Sequence, residues 1–487
     1  MEQQSRQIFK NTLVLGIADL VTRLGGMVLS FFIGRLLGAD GLGVYSTAVA
    51  YYALLILAGS MGAENFLIRE IARNLTETSR YVVNTSLISV TASVLIALAF
   101  FFVLPYLGYS DDLTLGMYLI ILATVPGMLS ALQNAVFVAH QRVEFVMYTR
   151  VVATTITIGL DYYLLKNGYS VANLLAVFVG GEYLTMVFFY AFISRHITRL
   201  HWTFDFPFVR QLLSEIKTFA ALSLLGGLMA RPEIIILSIV QNETETGFYS
   251  AAIKLVLFWQ FISQIFMTNV YPVLSQAFHV GDRNFQIIQD KAIKYLLALS
   301  LPLMAGLIAA AEPLIRLIYG SEFEPAILGL RILAISIPPV FVNAVFWRVL
   351  VARDHQNLVF QARVITLFFR FIGGWLLITW GGANGAAAIF VLGSGFDMIL
   401  FIYYLWREDI RINLVRLSWR FALASLGMGS IAWFLGQYIQ VWWIVPVAAV
   451  IYTILIVVLK AFSVDDMALF RKVLRPASSG AINEHTS

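Results

Sequence analysis

The sequence predicts an all-α polytopic membrane protein with about fourteen transmembrane helices: two pseudo-symmetric six-helix lobes around a central cavity, plus two C-terminal helices. Three observations predict this fold class: the apolar composition, the regular spacing of long apolar segments, and a one-sided distribution of Lys and Arg. Of the 487 residues, 60% are hydrophobic and 13% are charged, and the mean hydropathy is +0.81. A water-soluble globule of this size cannot bury so much apolar surface. The composition therefore excludes a soluble enzyme, a nucleic-acid-binding module and a disordered protein.

The spans follow from length, because a helix needs about 20 apolar residues to cross the hydrocarbon core. The turn-like cluster Gly381–Gly385 divides the stretch 360–405, which is the hardest to split. We expect no cleavable signal peptide, because the first span is too long and no small-residue cleavage pattern follows it. The predicted spans are 12–34, 42–63, 81–104, 113–135, 145–165, 171–193, 215–238, 246–272, 290–311, 326–350, 359–380, 384–405, 418–437 and 442–462.

The basic residues support this count. With the N-terminus inside, the inside segments hold 24 of the 33 Lys and Arg residues, and the outside loops hold 4. This is a strong positive-inside signal, which predicts that both termini are cytoplasmic. The net charge of +5 therefore reflects cytoplasmic loops that face anionic lipid, and not binding of nucleic acid.

A weak internal repeat suggests two related lobes. Residues 43–49 (GVYSTAV) open the second span and residues 247–253 (GFYSAAI) open the eighth, 204 positions later. Six spans separate the two segments, so the lobes would share one orientation, related by an axis along the membrane normal. The predicted organisation is an N-lobe at 1–195, a cytoplasmic linker at 196–214, a C-lobe at 215–405, the last two spans within 406–462 and a cytoplasmic tail at 463–487.

Charged residues inside spans are costly and mark candidate functional positions. Asp19 and Arg23 lie four residues apart in the first span, as a self-neutralising ion pair or as part of a polar stripe that lines a cavity. In the seventh span Pro232 is flanked by Arg231 and Glu233. This is either an ordinary proline kink near the outer interface or a gating hinge beside an anion-binding arginine.

Further intramembrane charges lie in both predicted lobes. Lys254 either snorkels to the outer interface or joins a polar face of the eighth span. Arg370 is deeper in its span than Arg363, which lies seven residues earlier. The acids Asp161, Glu182 and Asp397 could pair with these cations or carry protons.

Taken together, these charges favour a large cavity for a large anionic substrate. A phosphate or pyrophosphate head group on a lipid fits, because arginine binds phosphate with two parallel hydrogen bonds. There are no cysteines, which excludes a thiolate nucleophile and a Cys-ligated metal site, and the six histidines are too few and too scattered to indicate a metal cluster. We expect no catalytic residues, no metal site and no bound cofactor.

Several segments resemble the polysaccharide flippase family of the multidrug/oligosaccharidyl-lipid/polysaccharide exporter superfamily. The resemblance covers nearly the whole chain and includes the fourteen-helix count. It rests on these segments: 11–12 (NT), 37–45 (LGADGLGVY), 62–65 (GAEN), 69–73 (REIAR), 247–250 (GFYS) and 271–275 (YPVLS).

The resemblance implies two lobes in a V around a cavity that spans 1, 2, 7 and 8 line. It implies alternating access that moves a lipid-linked (polyprenyl-pyrophosphate) oligosaccharide from the cytoplasmic to the outer leaflet of a prokaryotic cell membrane. The candidate residues are Arg23, Arg231, Lys254 and Arg370 for binding the substrate head group, Asp19, Glu182 and Glu233 for coupling to a proton or sodium gradient, and Pro232 as a hinge. Membrane lipids and polysaccharide polymerase machinery are the expected partners of a monomeric transporter.

Other functions remain open at this point. Within the superfamily these are a lipid-linked peptidoglycan-precursor flippase and a cation-coupled multidrug exporter, although the exporter would favour an acidic cavity. A membrane glycosyltransferase or polymerase would need a catalytic outer loop. The largest outer loop, 312–325, reads more simply as a solvated loop. A membrane scaffold would leave the intramembrane charges unexplained.

Overall fold

The computed structural model is helical throughout the residues that it describes, which are 2–201, 204–213, 226–229, 231–280, 282–436, 441–463 and 466. Among these residues there is no β-strand. The helices are α1 (Glu2–Ser60), α2 (Ala63–Arg73), α3 (Thr78–Val103), α4 (Asp111–Ala139), α5 (Glu144–Lys166), α6 (Val171–His196), α7 (Pro232–Val240), α8 (Glu243–Val280), α9 (Asp282–Ile318), α10 (Ala326–Ala334), α11 (Ile337–Ala352), α12 (Gln356–Arg407), α13 (Leu414–Leu435) and α14 (Val441–Val458).

Eight helical segments in the described part of the chain are long and apolar enough to cross a membrane. Two of them lie in α1 and α12, each of which is a pair of helices joined at a glycine, Gly38 in α1 and Gly382 in α12. Both glycines have positive φ, 71° and 51°, which residues with a Cβ atom rarely adopt. The break at Gly382 lies inside the turn-like cluster used to divide the sequence, and the predicted all-α membrane fold is confirmed.

Several helices differ from the predicted spans. The helix α2 was not predicted, and the tenth span is divided into α10 and α11. The helices α8 and α9 extend beyond the apolar windows at both ends. Of the seventh span, residues 215–225 and 230 lie outside the described part of the chain, and α7 begins at Pro232.

The two ends of the bundle differ in charge. The glycine breaks and the short connections 104–110, 241–243 and 319–325 lie at one end, which we name the kink end. The opposite end, which we name the basic end, carries α2, the start of α9, the end of α12 and the start of α13, with most of the described Lys and Arg.

The predicted linker packs on the N-lobe at the basic end. Leu212, in a short helix at 206–213, is buried in one cluster with Phe66, Leu67 and Phe137. Arg80 donates a 2.5 Å hydrogen bond to Asp205, and this bond, together with a bond from the Phe208 N–H, holds the pKa of the Asp205 carboxyl below its usual range. The linker is therefore docked, and not merely a tether between the lobes.

The last two helices pack on the C-lobe. Met428 and Ala432 of α13 and Ile444 of α14 form a buried cluster against α9, and Tyr452 donates a 2.6 Å hydrogen bond to the Ala298 carbonyl. Most of the predicted tail, 463–487, lies outside the described residues.

Candidate functional site

Three predicted cations come together where the two lobes meet. Arg231 lies within electrostatic range of both Arg23 and Lys254. Arg23 belongs to α1, and the other two belong to the C-lobe, so the cluster is formed by both lobes. Without a bound anion, like charges this close repel each other, and the repulsion is stronger in a partly buried site than in water.

Arg23 both pairs within its own helix and faces the opposite lobe. Its Nε donates a 2.8 Å hydrogen bond to Asp19, and both side chains remain partly exposed, 49% and 40%. The guanidinium also lies 5.4 Å from the ring centre of Phe261 in α8. The ion pair of the first alternative therefore forms, and Arg23 also contacts a helix of the C-lobe.

Arg231 occupies a helix break. It has non-helical backbone angles, φ −149° and ψ 49°, and Pro232 is the first residue of α7. Proline is favourable at this position because its missing N–H would be unpaired there in any case. Arg231, Lys254 and Tyr249 line a small cavity of about 40 Å³, so the break directs a cation toward α8.

Lys254 points across the interface between the lobes. Its ammonium lies 6.0 Å from the ring centre of Tyr45 in α1, which is within range of a cation–π contact. It is only partly exposed. This arrangement disagrees with snorkelling toward the outer interface and places the lysine on the inner polar face of α8.

Arg370 and Glu233 bind each other. Two guanidinium nitrogens of Arg370 donate to Glu233 Oε1 at 2.8 and 2.6 Å, and both side chains are buried. A third nitrogen donates to the Met229 carbonyl at 3.0 Å. Arg370 therefore connects the chain before the helix break with the first turn of α7. The sequence had suggested substrate binding for Arg370 and ion coupling for Glu233, but their mutual pairing leaves neither charge free.

A second ion pair in the C-lobe involves Asp397. Arg363 donates to it at 2.6 Å and Thr366 at 3.1 Å. Arg363, Asp397 and Arg370 line a cavity of about 260 Å³ together with Gln264. Arg348 of α11, assigned from the sequence to an inside segment, is buried and donates to Gln264 at 3.2 Å.

The N-lobe acids are arranged differently. Glu182 lies close to the hydroxyl of Tyr52. Asp161 is buried, and its Oδ1 has no hydrogen-bond partner in the described structure. Neither carboxylate forms an ion pair within the described part of the chain. Asp161 and Glu182 thus differ from Glu233 and Asp397 of the C-lobe, which are neutralised by arginine.

The lobes close on each other at the kink end through two glycines. A methyl group on Gly43 would lie 1.8 Å from the Glu243 carbonyl oxygen, and one on Gly247 would lie 1.9 Å from the Ala39 carbonyl oxygen. The two contacts are related by the same 204-residue offset as the sequence repeat. Asp40 accepts a hydrogen bond from Thr244, again 204 residues away. The two lobes therefore cross around a pseudo-two-fold axis at this point.

Carboxylates cap both helix breaks at this end. Glu322 accepts a 2.8 Å hydrogen bond from the Ala39 N–H in the opposite lobe, and Glu245 accepts a 2.6 Å bond from the Ala383 N–H. Such caps satisfy free donors and complement the positive end of a helix. Glu322 belongs to the outer loop that the sequence predicts to be solvated; its side chain is exposed and in addition caps the break at Gly38.

Further hydrogen bonds join the lobes at the kink end. Arg35 donates to the Leu317 carbonyl at 2.6 Å, and Ser110 donates to Glu243 at 2.6 Å. Tyr109 binds the hydroxyl of Ser238 at 3.2 Å. The structure is therefore closed at the kink end.

The residues of this closure were missed in the sequence. The signal was present in the repeat, because Gly43 and Gly247 open its two copies. A shared glycine at the start of two related helices indicates a close approach of backbones. The sequence could not show that each glycine would pack against the backbone beside the other copy of the repeat. No cluster of three metal-binding side chains occurs among the described residues.

Two family models match the chain. The model described as "Polysaccharide biosynthesis protein" matches residues 32–328, and the model described as "Lipid II flippase MurJ" matches residues 234–458. A curated relative is the "Probable low-salt glycan biosynthesis flippase Agl15" of Haloferax volcanii. It is 21% identical over 379 residues, which cover 77% of this chain and 78% of that protein.

Solved structures share the fold. A lipid II flippase MurJ in an inward closed conformation is similar with a TM-score of 0.74 and 16% identity, over 95% of this chain and 100% of that one. An inward-facing multidrug resistance transporter of the MATE family is similar with a TM-score of 0.63 and 15% identity, over 80% and 94%. At these identities the likeness shows the fold alone.

Proposed function

The chain belongs to the family described as polysaccharide biosynthesis protein, and from this premise we propose that it flips a lipid-linked oligosaccharide across the membrane. The carrying observation is the cluster of Arg23, Arg231 and Lys254 between lobes that are closed at the kink end. The substrate is an oligosaccharide on a polyprenyl pyrophosphate. It moves from the cytoplasmic to the outer leaflet by alternating access. The relatives named as flippases support this substrate class.

The cluster has the chemistry that a pyrophosphate requires. A dianion between the three cations would replace their mutual repulsion with attraction, and guanidinium groups bind phosphate oxygens in pairs. Tyr45 and Phe261 beside the cations provide aromatic faces. The lipid tail would remain in the bilayer while the head group crosses between the lobes.

The orientation follows from the charges. The basic end faces the cytoplasm by the positive-inside rule, so the structure is closed toward the outside and would accept the head group from the cytoplasmic side. The membrane is the plasma or inner membrane of a prokaryotic cell. The protein acts as a monomer that hands its product to polysaccharide polymerase machinery.

The transport cycle is coupled to a proton or sodium gradient. Glu182 is the best-supported of the candidate coupling residues, because Glu233 is bound by Arg370 and Asp19 by Arg23. Asp161, near Tyr45 on the same side of the interface, is a second acid of this kind.

The test is leaflet exchange in proteoliposomes. The purified chain is reconstituted with a fluorescent polyprenyl-pyrophosphate oligosaccharide, and the accessible fraction is followed with and without an ion gradient. We expect protein-dependent exchange that falls at least about tenfold in Arg231→Ala, since one lost charge-assisted hydrogen bond costs about 1.5–3 kcal/mol. The control is Lys166→Ala, which removes an exposed cation outside the cluster and should leave exchange unchanged.

The same assay separates the alternatives. If lipid exchange is unchanged in Arg231→Ala, the flippase function is supported, but the cationic cluster is not its binding site. Exchange of a lipid-linked peptidoglycan precursor, without exchange of the oligosaccharide lipid, would favour the function in the name of the second family model. Transport of a soluble organic cation without lipid exchange would contradict flipping and indicate drug export.

A further inference from the structure

A large cavity opens at the basic end of the C-lobe. Its volume is about 1160 Å³, and its walls come from α9, α12, α13, the connection 410–413 and Ala461. No N-lobe residue in the described part of the chain lines it. It is therefore separate from the cationic cluster between the lobes and does not depend on the proposed substrate.

The cavity has an excess of positive charge. Arg411, Arg416 and Arg420 line it, and the one acid among its described lining residues is Asp290, which lies within electrostatic range of Arg416. Arg411 and Arg416 are exposed and form no ion pair within the described part of the chain. The guanidinium of Arg420 donates to the Lys460 carbonyl at 2.5 Å and lies 5.1 Å from the ring centre of Trp419.

A fourth cation of the cavity, Lys294, forms an ion pair within the wall. Lys294 is bound to Asp466, which also accepts a 2.9 Å hydrogen bond from Tyr295 and a 2.8 Å bond from the Ser463 N–H. This arrangement neutralises Lys294 and attaches the segment after α14 to α9. The free positive charge of the cavity is thus concentrated on the side of Arg411 and Arg416.

The start of α13 adds to the positive potential. This 22-residue helix begins at Leu414, and its first turn lines the cavity. Asn413 accepts a 3.0 Å hydrogen bond from the Arg416 N–H, which fixes the entry into the helix. Backbone N–H groups and the helix dipole at such an end favour a bound anion.

The rim of the cavity has the character of a membrane interface. Trp406 and Trp419 line it and are 65% and 45% exposed, and Val415 beside them is 75% exposed. Tryptophan is enriched at the level of lipid head groups. Apolar side chains at the mouth of a basic cavity suit a ligand that has both an anionic group and acyl chains, and they do not suit a soluble anion.

We propose that this cavity binds the phosphate-bearing head group of an anionic phospholipid of the adjacent leaflet. Arg411 and Arg416 hold the phosphate, and the two tryptophans flank the start of the acyl chains. Basic pockets between transmembrane helices are suited to anionic lipids. Such a lipid would join α12 to α13 across the connection 410–413 and stabilise the attachment of the last two helices.

Lipid titration followed by native mass spectrometry tests this proposal on the full-length chain in neutral detergent. The probes are phosphatidylglycerol, phosphatidylcholine and inorganic phosphate. We expect phosphatidylglycerol to bind at least about tenfold more tightly than phosphatidylcholine. Inorganic phosphate at millimolar concentration should not displace it.

Two double variants locate the site. Arg411→Gln with Arg416→Gln should weaken phosphatidylglycerol binding about tenfold and leave phosphatidylcholine unchanged. Arg195→Gln with Arg199→Gln removes the same charge from exposed positions at the basic end of the N-lobe and should have less than a twofold effect. If the first double variant misfolds, as judged by its elution profile and melting temperature, Arg411→Gln alone makes the test.

Three results would overturn the proposal. Equal binding of the two phospholipids would remove the preference for an anionic head group. Equal losses in the two double variants would show that bulk charge is responsible. Displacement by inorganic phosphate would indicate a site for a soluble anion.

Discussion

At the residue scale, the intramembrane charges divide into those that bind each other and those that remain free. Arg370 and Arg363 are bound to Glu233 and Asp397 inside the C-lobe. Arg231 and Lys254 have no carboxylate partner among the described residues. Since a charge inside the membrane is costly unless it is paired or faces water, the two unpaired cations are the stronger candidates for binding a substrate head group.

The Arg370–Glu233 pair should be important for stability. The side chains are 11% and 3% exposed, so loss of one partner leaves an uncompensated buried charge. We expect Arg370→Met to destabilise the protein by about 3–5 kcal/mol and the double change with Glu233→Leu to recover more than half of the loss. Chemical denaturation in detergent micelles measures both.

An exposed pair is the control for this prediction. Arg316 binds Glu312 with exposures of 53% and 45%, so Arg316→Met should cost less than about 1 kcal/mol. An equal effect of the two single variants would contradict a special role of the buried pair. Because Arg370 also holds the Met229 carbonyl, Arg370→Lys should keep part of the stability but loosen the break before α7.

At the element scale, the crossing of α1 and α8 closes the kink end. The glycines 43 and 247 allow the backbones to approach to a distance at which no Cβ atom fits. Hydrogen bonds beside the crossing, such as Ala39 to Glu322, can break and reform. The close fit of the two backbones at the glycines therefore permits the closed state, and hydrogen bonds that can break and reform stabilise it.

Substitution of the crossing glycine should open this end. We expect Gly247→Ala to shift the population toward a state open at the kink end, because the added methyl group cannot be accommodated 1.9 Å from the Ala39 oxygen. The chain has no cysteines, so spin labels can be placed at Tyr106→Cys and Trp380→Cys, both strongly exposed. Electron paramagnetic resonance should show a longer distance between them.

The matched control is Gly381→Ala at the same end. An added methyl group there has no atom within 4 Å. The labelled distance should be unchanged in this variant. If Gly247→Ala also leaves the distance unchanged, the crossing does not control closure.

The docked linker is a second feature at this scale. Asp205→Asn should release it, because the ionised carboxylate accepts the hydrogen bonds of Arg80 and of the Phe208 N–H. Hydrogen exchange at residues 204–213 should become faster. Glu144→Gln, which alters another exposed pair at the basic end, should leave that exchange unchanged.

The pH dependence of docking has a defined sign. The pKa of Asp205 is lowered in the folded state, so its contribution is fully present above the unfolded value of about 3.9 and is lost as the pH falls through the folded value. The protection of the linker amides, measured relative to their intrinsic exchange rate at each pH, should therefore fall below about pH 4 in the wild-type chain. A loss of protection between pH 5 and pH 8 would contradict this origin.

At the scale of the whole molecule, two sets of charges meet near Tyr45. One set is the cationic cluster, to which both lobes contribute, and the other is the two N-lobe acids Asp161 and Glu182, which form no ion pair within the described part of the chain. Lys254 against Tyr45, and Tyr45 near Asp161 and Glu182, connect the two sets. A change in protonation or cation binding in the N-lobe would therefore alter the potential at the cationic cluster.

This arrangement predicts how coupling would fail. Glu182→Gln should abolish the effect of an ion gradient on lipid exchange and leave exchange without a gradient within about twofold of the wild type. Proteoliposomes with an imposed proton or sodium gradient measure both rates. An unchanged gradient response would exclude Glu182 as the coupling residue.

Segment-level properties were predictable from the sequence. The apolar windows, the Lys and Arg asymmetry and the glycine cluster near Gly382 each depend on how one stretch of chain interacts with lipid, water or its own backbone. The ends of the helices were harder to predict from the sequence. The helices α8 and α9 extend beyond their apolar segments, and hydropathy does not indicate a helix there. The division of span 10 into α10 and α11 has no comparable signal in the apolar pattern.

The sequence by itself determined that the chain is a helical membrane protein, which charges lie inside it, and that residues 43–49 and 247–253 are related. Only the tertiary structure decided which charges are free, because Arg370 meets Glu233 across 137 positions of the chain. It also decided that each repeat glycine packs against the other copy. Hydropathy acts on each segment separately, whereas ion pairing and close packing depend on distances between segments, and a single sequence does not contain those distances.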